Sequence, residues 1–213
     1  MASGQVGTEG GVRPRRRRLD AAARRASILE AAIPVFATVG YEQTRMSDVA
    51  ARIGVTEPVI FQNFGTKAEL FAAALDRVSE QAAAHLTELA VKHETVDVWL
   101  RHLLDADHLD HLHTAPMFGV LFEDAHRLQF EAAVAAAFHR NTARVAEGLA
   151  SILKRGQAEG AIRNDVSALS LAWLVVSLIQ ARQFRRRFSP ESSSSLEREL
   201  LDRIVDTLRR PQA

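Results

Sequence analysis

The chain has no cysteine in its 213 residues. Disulfides, cysteine-ligated zinc, iron–sulfur clusters and thiol nucleophiles are thereby excluded. Aromatic residues make up only 6%, with the single tyrosine at position 41, and there are just 6 prolines and 11 glycines. No stretch alternates at period two, and no apolar run approaches the roughly 18 to 20 residues of a bilayer span. The most apolar stretch, Leu169 to Ile179, is eleven residues long and bounded by Asp165 and Arg182, as a buried helix would be. The N-terminus lacks the apolar centre of a secretory signal, so a cytoplasmic location without membrane contact is expected. No Gly-x-Ser-x-Gly elbow, His-Glu-x-x-His pair or glycine-rich phosphate loop occurs, which argues against an enzyme. No cofactor is implied.

Net charge is also nearly absent, at +1 from 27 basic and 26 acidic residues, but its distribution is uneven. Residues 1–25 carry seven arginines against Glu9 and Asp20, a local charge of +5. Residues 26–80 carry four basic and seven acidic side chains, a local charge of −3, and the remainder sums to −1. The basic run Arg13-Pro14-Arg15-Arg16-Arg17-Arg18 follows a dozen small and polar residues without periodicity. It reads as a flexible basic arm over 1–19, suited to phosphates or a minor groove.

What remains is helical periodicity. After Asp20, read as an N-cap, Ile28, Ala32, Val35, Phe36 and Val39 share one helix face until Gly40, and Pro34 inside this helix predicts a bend. Ser47 is placed to cap a short helix with Val49, Ala50 and Ile53 inward and Gly54 at its end. Thr56 caps the next, with Pro58 in its first turn, Ile60 and Phe64 inward and Gly65 closing it. Thr66-Lys67-Ala68-Glu69 is a capping box that opens a longer helix burying Leu70, Phe71, Ala74 and Val78. Two short helices joined by a tight glycine turn and flanked by longer ones form a helix-turn-helix. Helical periodicity continues beyond residue 84, so the fold class is all-α. Segments 165–188 and 196–208 are apolar enough to require a partner, and packing against their symmetry mates as a four-helix bundle is one solution.

Three blocks, AAIPVFATVGY (31–41), TRMSDVAARIGVT (44–56) and FQNFGTKAEL (61–70), together resemble the DNA-binding domain of the TetR (tetracycline-repressor) family. A fourth, RGQAEGAIRND (155–165), is similar to the segment joining the seventh and eighth helices of many members. The resemblance implies about nine helices, with a helix-turn-helix domain over 20–83 and a ligand-binding and dimerisation domain over 84–213. It implies a homodimer formed through the two C-terminal helices, a palindromic double-stranded operator and a small-molecule inducer. On this pattern Thr56, Glu57, Pro58, Val59, Phe61, Gln62 and Asn63 lie on the recognition helix. Lys67 takes the place of a phosphate-contacting lysine, and Thr44, Arg45 and Ser47 fall at the entry to the second helix.

The side-chain chemistry fits. Gln62 suits a bidentate contact to adenine, Val59 and Pro58 a thymine methyl, and Glu57 the amino group of cytosine. The pattern departs from the family's at Phe61, where tyrosine and its phosphate bond are usual, and at Pro58, where glycine or alanine is usual.

Trp99, Leu103, Met117, Phe118, Leu121, Phe122, Phe138 and Trp173 are candidates to line the inducer pocket, with ordinary core packing as the competing role. His102, Asp105, Asp107, His108, Asp110, His111 and His113 form the one cluster with metal-ligating chemistry. Their spacing defines no convergent set, so a hydrated polar turn is the reading and no metal is assigned. Two alternatives remain: a metal-responsive regulator using that cluster, and a constitutive architectural DNA-binder without inducer.

Overall fold

The first helix, α1 (Ala21–Gln43), forms because Ile28, Ala32, Val35 and Phe36 fall on one side and are buried together. In the computed structural model, which describes residues 21–92, 95–105, 107–109, 119–188 and 193–209, the α1 dihedrals stay helical through Pro34. The interruption lies instead at Gly40, at φ 78° and ψ 172°. Exposed Glu30 and half-buried Pro34 put the freed carbonyl near solvent, where water can take the missing bond, so the proline is tolerated. Gly40 has a positive φ that a side chain would strain, and there the chain turns.

Helix α2 (Met46–Ile53) begins earlier than Ser47 implies. Extended Arg45 holds the N-cap position without a side-chain bond, because burial of Met46 draws that residue into the first turn. Gly54, at φ 65° and ψ 39°, ends α2 as its sequence position suggests. Helix α3 (Glu57–Phe64) follows, with Thr56 at its N-cap position but making no capping bond. Helix α4 (Lys67–Lys92) starts on the expected reciprocal box. The Thr66 hydroxyl accepts from the Glu69 amide at 3.1 Å, and Glu69 Oε2 accepts from the Thr66 amide at 2.8 Å. Asp20 and the arm lie outside the described residues.

Beyond the head come α5 (Val96–Leu103), α6 (Gly119–Arg127), α7 (Ala132–Ala158), α8 (Ala168–Phe188) and α9 (Ser193–Leu208). The described residues thus form nine helices of at least eight residues and, apart from one antiparallel bridge between Ile162 and Arg209, no extended pairing. Helices α4 and α7 run side by side in one direction. Asp76 accepts from Arg140 and Asn141, both at 2.9 Å, and Arg155 donates to the Ala90 carbonyl at 2.7 Å.

Two apolar cores result. One joins the helix-turn-helix to Leu121, Ala125 and Leu128 of the α6 region and to Val134 and Ala137 of α7. The other joins Trp99, Leu100 and Leu103 of α5 to the rest of α7, α8 and α9. α6 therefore packs with the N-terminal head although it follows residue 84 in sequence.

The 155–165 segment is a close junction. A Cβ at buried Gly156 would stand 2.6 Å from Ile162 Cγ1 and 2.8 Å from Val96 Cγ1. Gly156→Ala is expected to destabilise the fold by about 1 to 3 kcal/mol through overpacking, read as a lower denaturation midpoint. An unchanged midpoint would contradict that packing. The C-terminal end of α9 is secured beside this junction by Arg209, which donates twice to Asp97 at 2.7 Å and holds that carboxyl below its ordinary pKa.

Candidate nucleic-acid interface

Ile60 and Phe64 are buried against the head's core, and they fix which face of α3 turns outward. Glu57, Pro58, Phe61 and Gln62 are exposed on that outer face, and Arg45 and Ser47 are exposed at the start of α2. Thr56 is also exposed, whereas Val59 and Asn63 are half-buried. Asn63 turns its amide back along the helix, donating to the Val59 carbonyl at 2.7 Å, so that donor is already engaged within α3. Phe61 is 40% exposed and points away from the core, which leaves an apolar ring where a hydroxyl would be usual. Thr44 departs most from the sequence expectation. It is buried, and its hydroxyl donates to the Gly40 carbonyl at 2.6 Å, so it shapes the turn before α2 rather than presenting a polar group to solvent.

Lys67 opens α4 and lies half-buried over this same turn. Its Nζ donates to the Glu42 carbonyl at 3.2 Å and stands 4.5 Å from the centre of the Tyr41 ring. Burial lowers the Lys67 pKa, and the nearby Glu42 and Asp124 carboxylates oppose that shift. Burial likewise raises the Tyr41 phenol, helped by Glu131 and Glu42. The lysine side chain thus braces the 40–44 turn while remaining at a helix N-terminus, where unpaired backbone donors favour an anion.

In the sequence Arg25 is legible only as part of the positive charge of residues 1–25. Its guanidinium lies 4.1 Å above the Phe64 ring and donates to the Asn63 carbonyl, so it closes the C-terminal end of α3. Only the excess of arginine up to the first turns of α1 hinted at this contact, and 38 residues separate the two partners. Arg15, Arg16, Arg17 and Arg18 lie outside the described residues.

The candidate ligand-lining residues are divided between the two cores. Trp99 and Leu103 are buried in the second, whereas Leu121, Phe122 and Phe138 belong to or pack against the first. Trp173 departs from a lining role: it is 42% exposed on α8 beside Leu169 and Leu174, because α8 is apolar on more than one face and only one of them meets α7. Met117 and Phe118 lie outside the described residues. The His102 and His108 rings approach to 4.6 Å, and Asp110, His111 and His113 are not described. Among the described residues no three ligating groups converge on a metal position, and no helix is long and apolar enough to cross a membrane.

An outward α3 held by α1, α2 and the start of α4 defines a helix-turn-helix regulator. Residues 28–74 match the family model for bacterial regulatory proteins of the tetR family, and residues 100–202 match that for the tetracyclin repressor-like C-terminal domain. The chain belongs to the TetR family, whose members are transcriptional regulators and not enzymes.

Among curated relatives, the HTH-type transcriptional activator FasR of Mycolicibacterium smegmatis is 44% identical over 54 residues, a match spanning only 25% of each chain. The HTH-type transcriptional repressor AcnR of Corynebacterium jeikeium is 25% identical over 181 residues, which is 84% of this chain and 90% of AcnR. Of solved structures, the regulator FadR from Bacillus subtilis in complex with stearoyl-CoA aligns with a TM-score of 0.66 at 17% identity. That alignment covers 86% of this chain and 99% of FadR. At that identity the likeness bears on the fold alone.

Proposed function

We propose that the protein is a homodimeric repressor that binds a palindromic operator in the cytoplasm and is released from it by a small-molecule inducer. The observation that carries this reading is the outward face of α3, Glu57, Pro58, Phe61 and Gln62, set beside Lys67 at the start of α4. That arrangement offers base-reading groups and a phosphate site on one surface. In this reading Gln62 reads adenine, Glu57 accepts from cytosine, and Pro58 and Phe61 contact a thymine methyl or sugar. Arg45, Ser47, Thr56 and the arm residues Arg15 to Arg18 meet the backbone, while Thr44 and Asn63 shape the turn and the helix.

Leu169, Trp173 and Leu174, exposed on α8, support burial against a second copy. The two α3 helices of such a dimer should lie ~34 Å apart to enter successive major grooves. The wide match to the repressor AcnR favours repression, and the stearoyl-CoA complex of FadR is consistent with a small-molecule inducer, which in this chain would be held in the C-terminal domain of residues 84–213. An inducer acts through its differential affinity for the DNA-competent and released states.

Two substitutions separate the roles. Gln62→Ala should relax preference at one base position of each half-site, at a cost of about 1 to 3 kcal/mol on the preferred sequence. Lys67→Ala should weaken all sequences alike and reduce the salt dependence by roughly one phosphate contact. Binding measured across a panel of single-base variants tests both. Identical patterns for the two proteins would contradict the division.

A further inference from the structure

We propose that Asp124, which lies in α6 outside the helix-turn-helix, is a positioning residue for DNA binding: its carboxylate sets the turn on which the Lys67 side chain rests and from which α2 begins. The proposal rests on the DNA-binding reading above. Asp124 Oδ2 accepts from the Tyr41 amide at 2.6 Å, across 83 residues of sequence. The same oxygen would lie 3.1 Å from a Cβ at Gly40, so the carboxylate occupies space that the missing side chain leaves open. Gly40, at φ 78°, is also the one non-helical residue within α1, the point at which the direction of the following chain is decided. Residues Leu121 and Ala125 on either side of Asp124 are fully buried in the head's core, which fixes α6 against α1.

From Tyr41 the constraint passes along short contacts. The Tyr41 carbonyl accepts from the Thr44 amide at 3.2 Å, and the Thr44 hydroxyl donates to the Gly40 carbonyl at 2.6 Å. These bonds close the turn immediately before Arg45 and Met46, where α2 begins. The Tyr41 ring packs edge-on against Phe71 at 5.2 Å and forms the surface on which Lys67 rests. The Lys67 ammonium donates to the backbone carbonyl of Glu42, in the same turn. Moving the Tyr41 amide therefore moves the lysine's supports and the α2 entry together. Other charged groups near Asp124 act differently. Arg127 reaches its second oxygen only at 4.0 Å and pairs with Glu123, and Lys67 is near enough to feel its charge, but neither directs the carboxylate to the Tyr41 amide. The accepting atom's position is what matters, since the Tyr41 amide has a fixed direction and hydrogen bonds weaken steeply when bent.

The test uses the full chain and the DNA fragment that wild-type protein enriches from a random-sequence pool. Asp124→Ala removes the acceptor and should weaken binding of that fragment roughly tenfold, the scale of one bond to a charged group. Asp124→Asn keeps an acceptor at the same reach and should stay within about threefold of wild type. Asp124→Glu keeps the charge but displaces it by one methylene, and it should weaken binding as alanine does. Should the alanine protein not fold, the asparagine and glutamate proteins carry the comparison. Exchange of the Tyr41 amide with solvent should quicken in the variants that lose affinity and remain slow in the asparagine protein.

Affinity lost equally by the asparagine and glutamate proteins, or by neither, would overturn the proposal. If wild-type protein enriches no fragment, the DNA-binding reading itself fails and this proposal with it. Enrichment followed by unchanged affinity in the glutamate and alanine proteins removes this proposal alone.

Discussion

Deletion of residues 1–18 is expected to flatten the salt dependence of DNA binding and to lower affinity at low salt by well over an order of magnitude. The deleted segment contains five arginines and one acidic residue, Glu9, whereas residues 26–80, which include the recognition helix, sum to −3. Coulombic attraction to a polyanion therefore depends chiefly on the arm, assisted by a few fixed cations such as Arg45 and Lys67. Each phosphate neutralised contributes about −0.9 to the slope of log affinity against log salt. A dimer bringing Arg15 to Arg18 from both subunits would supply up to about eight such contacts, enough to lose 10³-fold or more between 50 and 200 mM salt. The shortened protein should lose far less over the same interval, because fewer counterions are released on binding. Titrations at four or five salt concentrations measure the slope directly, and equal slopes for full-length and shortened proteins would contradict the assignment.

Glu197→Ala should produce the largest loss of stability of any single substitution considered. The Glu197 carboxylate lies between α8 and α9, buried with Arg182 at 3.4 Å and taking two bonds from Arg185 at 2.6 and 3.1 Å. Glu197 and Arg182 are each about 2% exposed at their side chains. Removing the carboxylate takes from buried Arg182 and partly buried Arg185 the counter-charge that they share, at a cost of about 3 to 5 kcal/mol. For a chain of this size that corresponds to a fall in melting temperature of roughly 6 to 20 °C. Glu197→Gln should fall between, since it keeps an acceptor for Arg185 but not the charge. Because α8 also carries the exposed Leu169, Trp173 and Leu174, weakened dimerisation should accompany the loss. Thermal melting with sedimentation at the same protein concentration measures both, and a melting temperature within about 2 °C of wild type would contradict the account.

Local punctuation made the head readable in sequence. Gly54, Gly65 and the Thr66–Glu69 box each act within one helical turn, and each ends or starts a helix where its chemistry predicts. Ser47 misled because a favourable cap is worth about 1 kcal/mol, less than burying the neighbouring Met46. The outward residues of α3 were legible once Ile60 and Phe64 fixed the inner face.

Contacts made between distant segments left no such trace. The bond of Asp124 to the Tyr41 amide and that of Arg25 to the Asn63 carbonyl depend on helices meeting in space. Nothing in the periodicity of either partner encodes them. The two tryptophans illustrate the same limit. Trp99 is buried and Trp173 is half in solvent, yet both sit in amphipathic or apolar helices, and only the way α5 and α8 each pack against α7 separates them. Leu121 and Phe122 pack with the head for a related reason: α6 follows the linking helix in sequence and returns to α1 in space.

The central claim is sequence-specific recognition by two copies of α3. Selection from a random-sequence DNA pool by the full-length protein, followed by footprinting of the enriched fragment, tests it most directly. The account predicts an inverted repeat whose half-sites present successive major grooves ~34 Å apart, with Gln62→Ala relaxing one symmetry-related position in each. Enrichment of no sequence, or of a single half-site bound by one copy of the chain, would contradict it.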